Sequence, residues 1–228
     1  PHPEGRLSSA DIPCFKSMNT NLHVLEAYGN YYRVRPEPPV AEALESLLRW
    51  FIAAICDAER GHLRLFLDES GESIRDADSY GHDIEAAWLL REAAHILGNR
   101  ELAEEMEPVL AALAEAVLAE GFSDDSGGLE YEREGNQRDT DRHWWVQAEA
   151  VVGFRDRFES DGGEKWLKAA GRTWAYIGGN IIDRQHGEWI WGRGADGRPM
   201  DKEKGGLWKT PYHNGRACME LMERIPRD

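Results

Sequence analysis

Little in this chain offers redox, metal or membrane chemistry. Its 228 residues include three cysteines, Cys14, Cys56 and Cys218, far apart and without a CxxC pair. An odd number at such spacings reads as buried small hydrophobes in a reducing compartment, not as a disulfide framework or a thiolate site. No HExxH or HxH spacing occurs either, so zinc or iron has no local ligand motif. Long hydrophobic runs are missing as well. Trp50 to Cys56 and Pro108 to Ala114 are the longest, far short of the roughly 20 residues a membrane-spanning helix needs. Basic charge is scarce: 27 basic residues stand against 42 acidic ones, a formal net charge of −15. That leaves no cationic stripe to release counterions from a phosphate backbone, and nucleic acid is excluded as the expected partner. The first residues, Pro1-His2-Pro3-Glu4-Gly5-Arg6, carry neither an initiator methionine nor a signal-peptide pattern. The expectation is a cytoplasmic piece of a longer chain, monomeric or homodimeric.

What is present is an ordinary globular balance, 41% apolar and 30% charged, enough to fill one core without staples. Nine tryptophans are many for this length, and several stand beside Gly, His or Lys instead of in apolar stripes. Helical periodicity dominates. Met18, Leu22, Leu25, Tyr28 and Tyr32 form a ladder within Ser17 to Arg33. After Pro36, Pro38 and Pro39, the pattern predicts helices over about 40–59, 80–97, 101–120, 140–158, 164–177 and 211–225. Only strand scraps, such as His62 to Leu67, fall between them. This is an all-α pattern of seven helices.

The first helix of each pair repeats. His23-Val24-Leu25-Glu26-Ala27 overlays His82-Asp83-Ile84-Glu85-Ala86, then Val146-Gln147-Ala148-Glu149-Ala150, then His213-Asn214-Gly215-Arg216-Ala217, with a period of about 60 to 67 residues. Helix hairpins of that period suit an (α/α)6 barrel whose inner helices open on one mouth. Seven helices make an incomplete ring, a single domain over 1–228 with the remainder expected upstream.

In that arrangement three histidines meet in one cavity. Glu85 follows His82 by three residues, where a carboxylate can orient an imidazole, and Glu26 follows His23 likewise. Pro211 suits the first turn of the helix carrying His213. His95, 13 residues after His82, lies roughly 140° around the helix and is expected to face outward. His2, His62, His143 and His186 occupy no repeat position and read as structural. Convergence from separate helices leaves a metal site open. Glycoside hydrolysis is a second rival, with Asp11, Glu85 and Glu149 as candidate carboxyls, although imidazoles near neutrality suit proton removal from carbon better. Trp145, Trp189, Trp191 and Trp208 gather near the expected mouth, where aromatic faces suit the C–H face of a pyranose.

At these residues the chain resembles the cellobiose 2-epimerase branch of the N-acylglucosamine 2-epimerase superfamily. The resemblance rests on Met18 to Ala27 (MNTNLHVLEA), Ser79 to Leu90 (SYGHDIEAAWLL), Trp144 to Ala150 (WWVQAEA) and Gly206 to Gly215 (GLWKTPYHNG). It implies an (α/α)6 barrel and a cofactor-free epimerase, without a metal, acting on the reducing-end glucose of β-1,4-linked disaccharides such as cellobiose or lactose. By motif position it implies His82 and His213 as the acid/base pair and His23 as a substrate contact. Asn19, Asp11, Glu85, Trp145 and Trp208 would surround the sugar, and Glu149 and Trp189 stand beside them as candidate contacts. Family members also use an arginine and aromatic residues from earlier helices, which this chain does not contain. An N-acylglucosamine 2-epimerase, a mannose-type aldose–ketose isomerase and a non-catalytic sugar- or partner-binding protein remain open readings.

Overall fold

The computed structural model describes residues 12–225; Asp11 and His2 lie outside them. Among the described residues there are seven α-helices: α1 (Met18–Val34), α2 (Pro38–Trp50), α3 (Tyr80–Leu97), α4 (Arg100–Ala116), α5 (Trp144–Asp161), α6 (Glu164–Tyr176) and α7 (Tyr212–Arg224). Local chemistry sets their ends. Ser17 caps α1 by accepting from the Thr20 amide, and Asn99 caps α4 by accepting from that of Leu102. Prolines fill the first positions of α2. Gly98, at φ 72°, ends α3 in the left-handed conformation that a side chain disfavours.

Several boundaries differ from the sequence expectation. Helices α2 and α4 end early, at Trp50 and Ala116, and with α6 each adds a five-residue π-helical turn: Phe51–Ile55, Val117–Gly121 and Ile177–Ile181. Such a turn keeps its apolar residues on the core, so hydrophobic periodicity does not mark it. The stretch from Thr140, expected to be helical, is instead extended up to His143: Arg142 and His143 pair with Arg193 and Gly192.

The helices pack in two layers. α1, α3, α5 and α7 are successive neighbours in the inner layer, and α2, α4 and α6 cover them from outside. Burial patterns follow from that position. α4 buries one stripe, Leu102, Met106, Leu110 and Leu113, the mark of a helix with one face in solvent. α3 is packed on nearly all sides and buries twelve of its eighteen residues, among them Asp83 and Glu85. Between the layers lie Trp88, Trp166, Phe154, Phe51 and a leucine-rich cluster, each such side chain contributing roughly 1.5–3 kcal/mol by leaving water. No described helix is long and apolar enough to cross a membrane.

The inner helices all begin at the same end of the arc. There the connecting segments gather, including a three-stranded sheet of Ala77–Ser79, Glu132–Glu134 and Gln137–Asp139. The first two turns of four helices therefore face one space.

Candidate active site

That space is a cavity of about 660 Å³ lined by Asn19, His23 and Glu26 from α1, His82 from α3, Trp144 and Trp145 from α5, and Tyr212 and His213 from α7. Tyr131, His143, Trp191, Lys202 and Trp208 reach it from the connecting segments. Its size lies in the range of small-molecule sites, and its wall alternates imidazoles with aromatic faces.

Trp145 joins the two histidines of interest. Its ring centroid is 4.7 Å from that of His82 and 5.5 Å from that of His213. The indole fits because residue 81 is glycine: a methyl group there would lie 2.6 Å from the ring carbons of Trp145. His82 is held from behind by Ser79, with 2.8 Å between Oγ and Nδ1, and that serine forms no cap for α3. Burial, together with the nearby His213 and His23, lowers the His82 pKa to about 3, so the ring is neutral near pH 7. His213 is held differently: its Nδ1 lies 2.7 Å from Oε1 of the buried Glu149. In both rings Nδ1 is engaged away from the cavity, which leaves Nε2 as the reactive atom.

Behind His213 stands a charged cluster. Arg216 donates from Nη1 to Glu26 Oε1 at 2.7 Å, and from Nη2 to Glu85 Oε1 at 2.6 Å and Glu149 Oε1 at 2.8 Å. Trp88 Nε1 donates to the other Glu149 oxygen at 3.1 Å. Tyr212 donates its hydroxyl to Glu26 and accepts from Arg216 at 2.5 Å. Burial raises the Glu85 pKa, and the charge of Glu149 adds to it. Burial would do the same to Glu149, but the charge of Arg216 and the His213 hydrogen bond outweigh it and hold this carboxyl low. Glu26 is pulled down to about 2, against its burial, by His23, Arg216 and Tyr212. His23 is in turn raised by its hydrogen bond to Glu26.

The structure corrects several residue assignments. Glu85 does not orient His82. Its Oε1 belongs to Arg216 and lies 3.9 Å from His213 Nδ1, because the helix turn that carries Glu85 points it toward α7. Glu85 and Glu149 are fully buried behind the wall and are not among the residues that line it. Trp189 is also buried, in the core cluster beside its bridge to Ile182; it is Trp191 that lines the cavity. His95 is exposed, and His62 is buried on Asp83 at 2.8 Å, both away from the cavity. His143 enters the site, stacked 4.1 Å from Tyr131, with its pKa lowered to about 4 by burial and by Lys202. Sequence reasoning missed it, and it missed Tyr131, Tyr212 and Arg216. For Arg216 a signal existed: it fills the column that Glu26, Glu85 and Glu149 occupy in the other repeats.

Glu85, Glu149 and His213 also bring three potential ligand atoms within 4.8 Å of one another. The guanidinium of Arg216 already sits on both carboxylates, so a metal cation would have to displace it. These residues do not fit a metal.

Two layers of helices with paired histidines at the inner mouth define an α/α-barrel protein with a site of small-molecule size. The family model for N-acylglucosamine 2-epimerase (GlcNAc 2-epimerase) matches residues 5–217, and the chain belongs to that family. It is 44% identical over 220 residues to the cellobiose 2-epimerase of Bacteroides fragilis, covering 95% of this chain and 56% of that protein. The structure of cellobiose 2-epimerase from Bacillus thermoamylovorans superposes with a TM-score of 0.89 at 39% identity, over 96% of this chain and 56% of that one. A crystal structure of D-mannose isomerase shares the fold, with a TM-score of 0.80 at 19% identity over 95% of this chain and 58% of that one. The fold is the (α/α)6 barrel of these neighbours, and the chain spans just over half the length of the relatives it matches.

Proposed function

We propose that the protein is a cofactor-free sugar 2-epimerase acting on the reducing-end glucose of β-1,4-linked disaccharides such as cellobiose and lactose. One observation carries the reading: His82 and His213 reach one cavity from different helices, each with Nδ1 engaged and Nε2 free, around a shared indole. Inverting C2 needs the ring open, so that C1 is an aldehyde and the C2 hydrogen is acidic. One imidazole takes that proton, and the C–H electron pair moves through the C1–C2 bond onto the C1 oxygen, giving an enediolate. The other imidazole, carrying a proton, returns one to C2 from the opposite face, so one proton leaves the sugar and one arrives. His82, neutral by burial, suits removal. His213 suits carriage, because a proton on its Nε2 forms an ion pair with Glu149. Asn19, His23 and Tyr212 supply polar contacts, and Trp145, Trp191 and Trp208 supply stacking faces.

The same chemistry with return at C1 would give the ketose, so cellobiose, mannose and N-acetylglucosamine compared as substrates separate the epimerase from the isomerase. We further propose a cytoplasmic location, which the unpaired thiols of Cys14, Cys56 and Cys218 support. The test is exchange of the C2 hydrogen of cellobiose with deuterated water. His82→Asn and His213→Asn are each expected to abolish exchange in the intact protein, and exchange retained in both refutes the assignment. Binding of cellobiose by the wild type without any exchange would make the protein a sugar-binding module.

A further inference from the structure

Among the described residues Arg216 is the one arginine or lysine bound to three buried or half-buried carboxyls, and its contacts divide them unequally. Glu26 is satisfied on both oxygens, by Arg216 on one and by Tyr212 and His23 on the other. Glu149 is satisfied on both as well: Arg216 and His213 on Oε1, Trp88 on Oε2. Every group facing Glu149 is therefore a donor or, in the case of His213 Nδ1, a group that must donate if Glu149 is ionised. Glu85 differs, since its Oε2 is buried with no partner among the described residues. An ionised carboxylate oxygen left so is costly, whereas a protonated one is not. The proton of the cluster thus belongs on Glu85, and Glu149 remains an acceptor.

We infer that Arg216 is a positioning residue for the proton transfer assigned above to His213. By binding Glu26, Glu85 and Glu149 together it keeps Glu149 an acceptor, which fixes the Nδ1–H tautomer of neutral His213 and leaves Nε2, facing the cavity, as the atom that takes up the proton His213 later returns. Arg216 does not touch the cavity; it is absent from the lining. Its effect passes through one hydrogen bond. If the guanidinium is removed, Glu149 loses the cation that offsets its desolvation, and burial drives a second proton onto the Glu85–Glu149 pair. On Glu149 that proton sits on Oε1, 2.7 Å from His213 Nδ1, and it donates there. The imidazole then carries its own hydrogen on Nε2 and faces a neutral Glu149, so it loses the anion that stabilises the doubly protonated ring and no longer takes up and returns the proton that His213 is assigned to carry. A carboxyl that only braced α7 would not produce this exchange of tautomers.

The inference rests on the proton-transfer reading of His213, but its test does not require turnover. Long-range nitrogen–proton spectra of histidine-labelled intact protein distinguish the two neutral tautomers, with His213→Asn assigning the signal. The wild type is expected to carry hydrogen on Nδ1, Arg216→Met on Nε2, and Arg216→Lys, which keeps the charge, on Nδ1. Under saturating cellobiose, Arg216→Met is expected to lose about 100-fold in kcat, the scale of one acid–base group, with KM within about threefold, and Arg216→Lys to recover at least tenfold of it. An Nε2–H ring in the wild type, or an Nδ1–H ring in folded Arg216→Met, overturns the inference. Should the methionine variant not fold, an Nε2–H ring in the lysine variant overturns it. Absence of C2 exchange in a wild type that shows the Nδ1–H ring would instead refute the proposed reaction alone.

Discussion

Gly81 offers a measurement in which two well-known effects oppose each other. Placed in the first turn of α3 with an ordinary negative φ, it accepts alanine as far as the backbone is concerned. Helix propensity alone favours that change by up to about 1 kcal/mol. Against it, the new methyl would lie 2.6 Å from Cη2 and Cζ3 of Trp145 and 2.9 Å from Val146 Cγ2. The indole can yield only toward the cavity it lines, because His82 and His213 lie against it and Tyr131 meets it edge-on, with ring centroids 6.2 Å apart. Overpacking of this kind costs about 1–3 kcal/mol, so the clash wins and Gly81→Ala is expected to lose about 1 kcal/mol in urea unfolding. Gly171 supplies the control. It sits in the interior of α6 with nothing within 4 Å of the added methyl, and Gly171→Ala is expected to gain about 0.5–1 kcal/mol. Because Trp145 is pushed toward the cavity, Gly81→Ala also raises KM for cellobiose, and a tenfold rise corresponds to about 1.4 kcal/mol of lost sugar contact. If Gly81→Ala is as stabilising as Gly171→Ala and leaves KM unchanged, the packing of Trp145 does not shape the site and the argument from it fails.

Two further outcomes follow from the charged groups. His143 has a folded-state pKa near 4, below the ordinary value near 6.5, so the unfolded chain binds more protons between those limits. Urea stability should therefore fall as pH drops from about 6.5 to 4, and His143→Asn should flatten that slope; an unchanged slope excludes His143 as a contributor. Lys209 is buried, with Nζ 3.1 Å from Glu188 Oε1 and from the Lys204 carbonyl, while Asn214 donates to the same Glu188 oxygen. Lys209→Met should loosen the segment that carries Trp208, so proteolytic cleavage within residues 202–210 speeds up and KM rises several-fold while kcat holds within about twofold; protection equal to wild type counts against it.

Much of the fold could be read from spacing alone. α3 falls on the predicted span, and α1 and α6 differ by a residue at most, because each combines strong periodicity with a proline, glycine or capping signal. The overlay of His23, His82 and His213 also placed three imidazoles in one cavity. Its limits are physical. A column holding Glu26, Glu85, Glu149 and Arg216 looks like a mismatch at one repeat until the four positions are known to touch, and only then does one cation among three acids become a necessity. Trp189 and Trp191 differ by two residues, and which of them reached the cavity depended on how Arg142–His143 paired with Gly192–Arg193, a register no period reveals. His143 escaped for the same reason, since it sits in that strand pair just before α5 and not at a repeat position.

The proposed acid–base groups stand on the inner helices, whereas Tyr131, Trp191, Lys202 and Trp208 stand on connecting segments. Insertions and exchanges in those segments can remodel the grip on a distant sugar unit without disturbing the distance between the two imidazoles. Ligand range in such an architecture is thus free to drift while the proposed proton-moving pair stays in place.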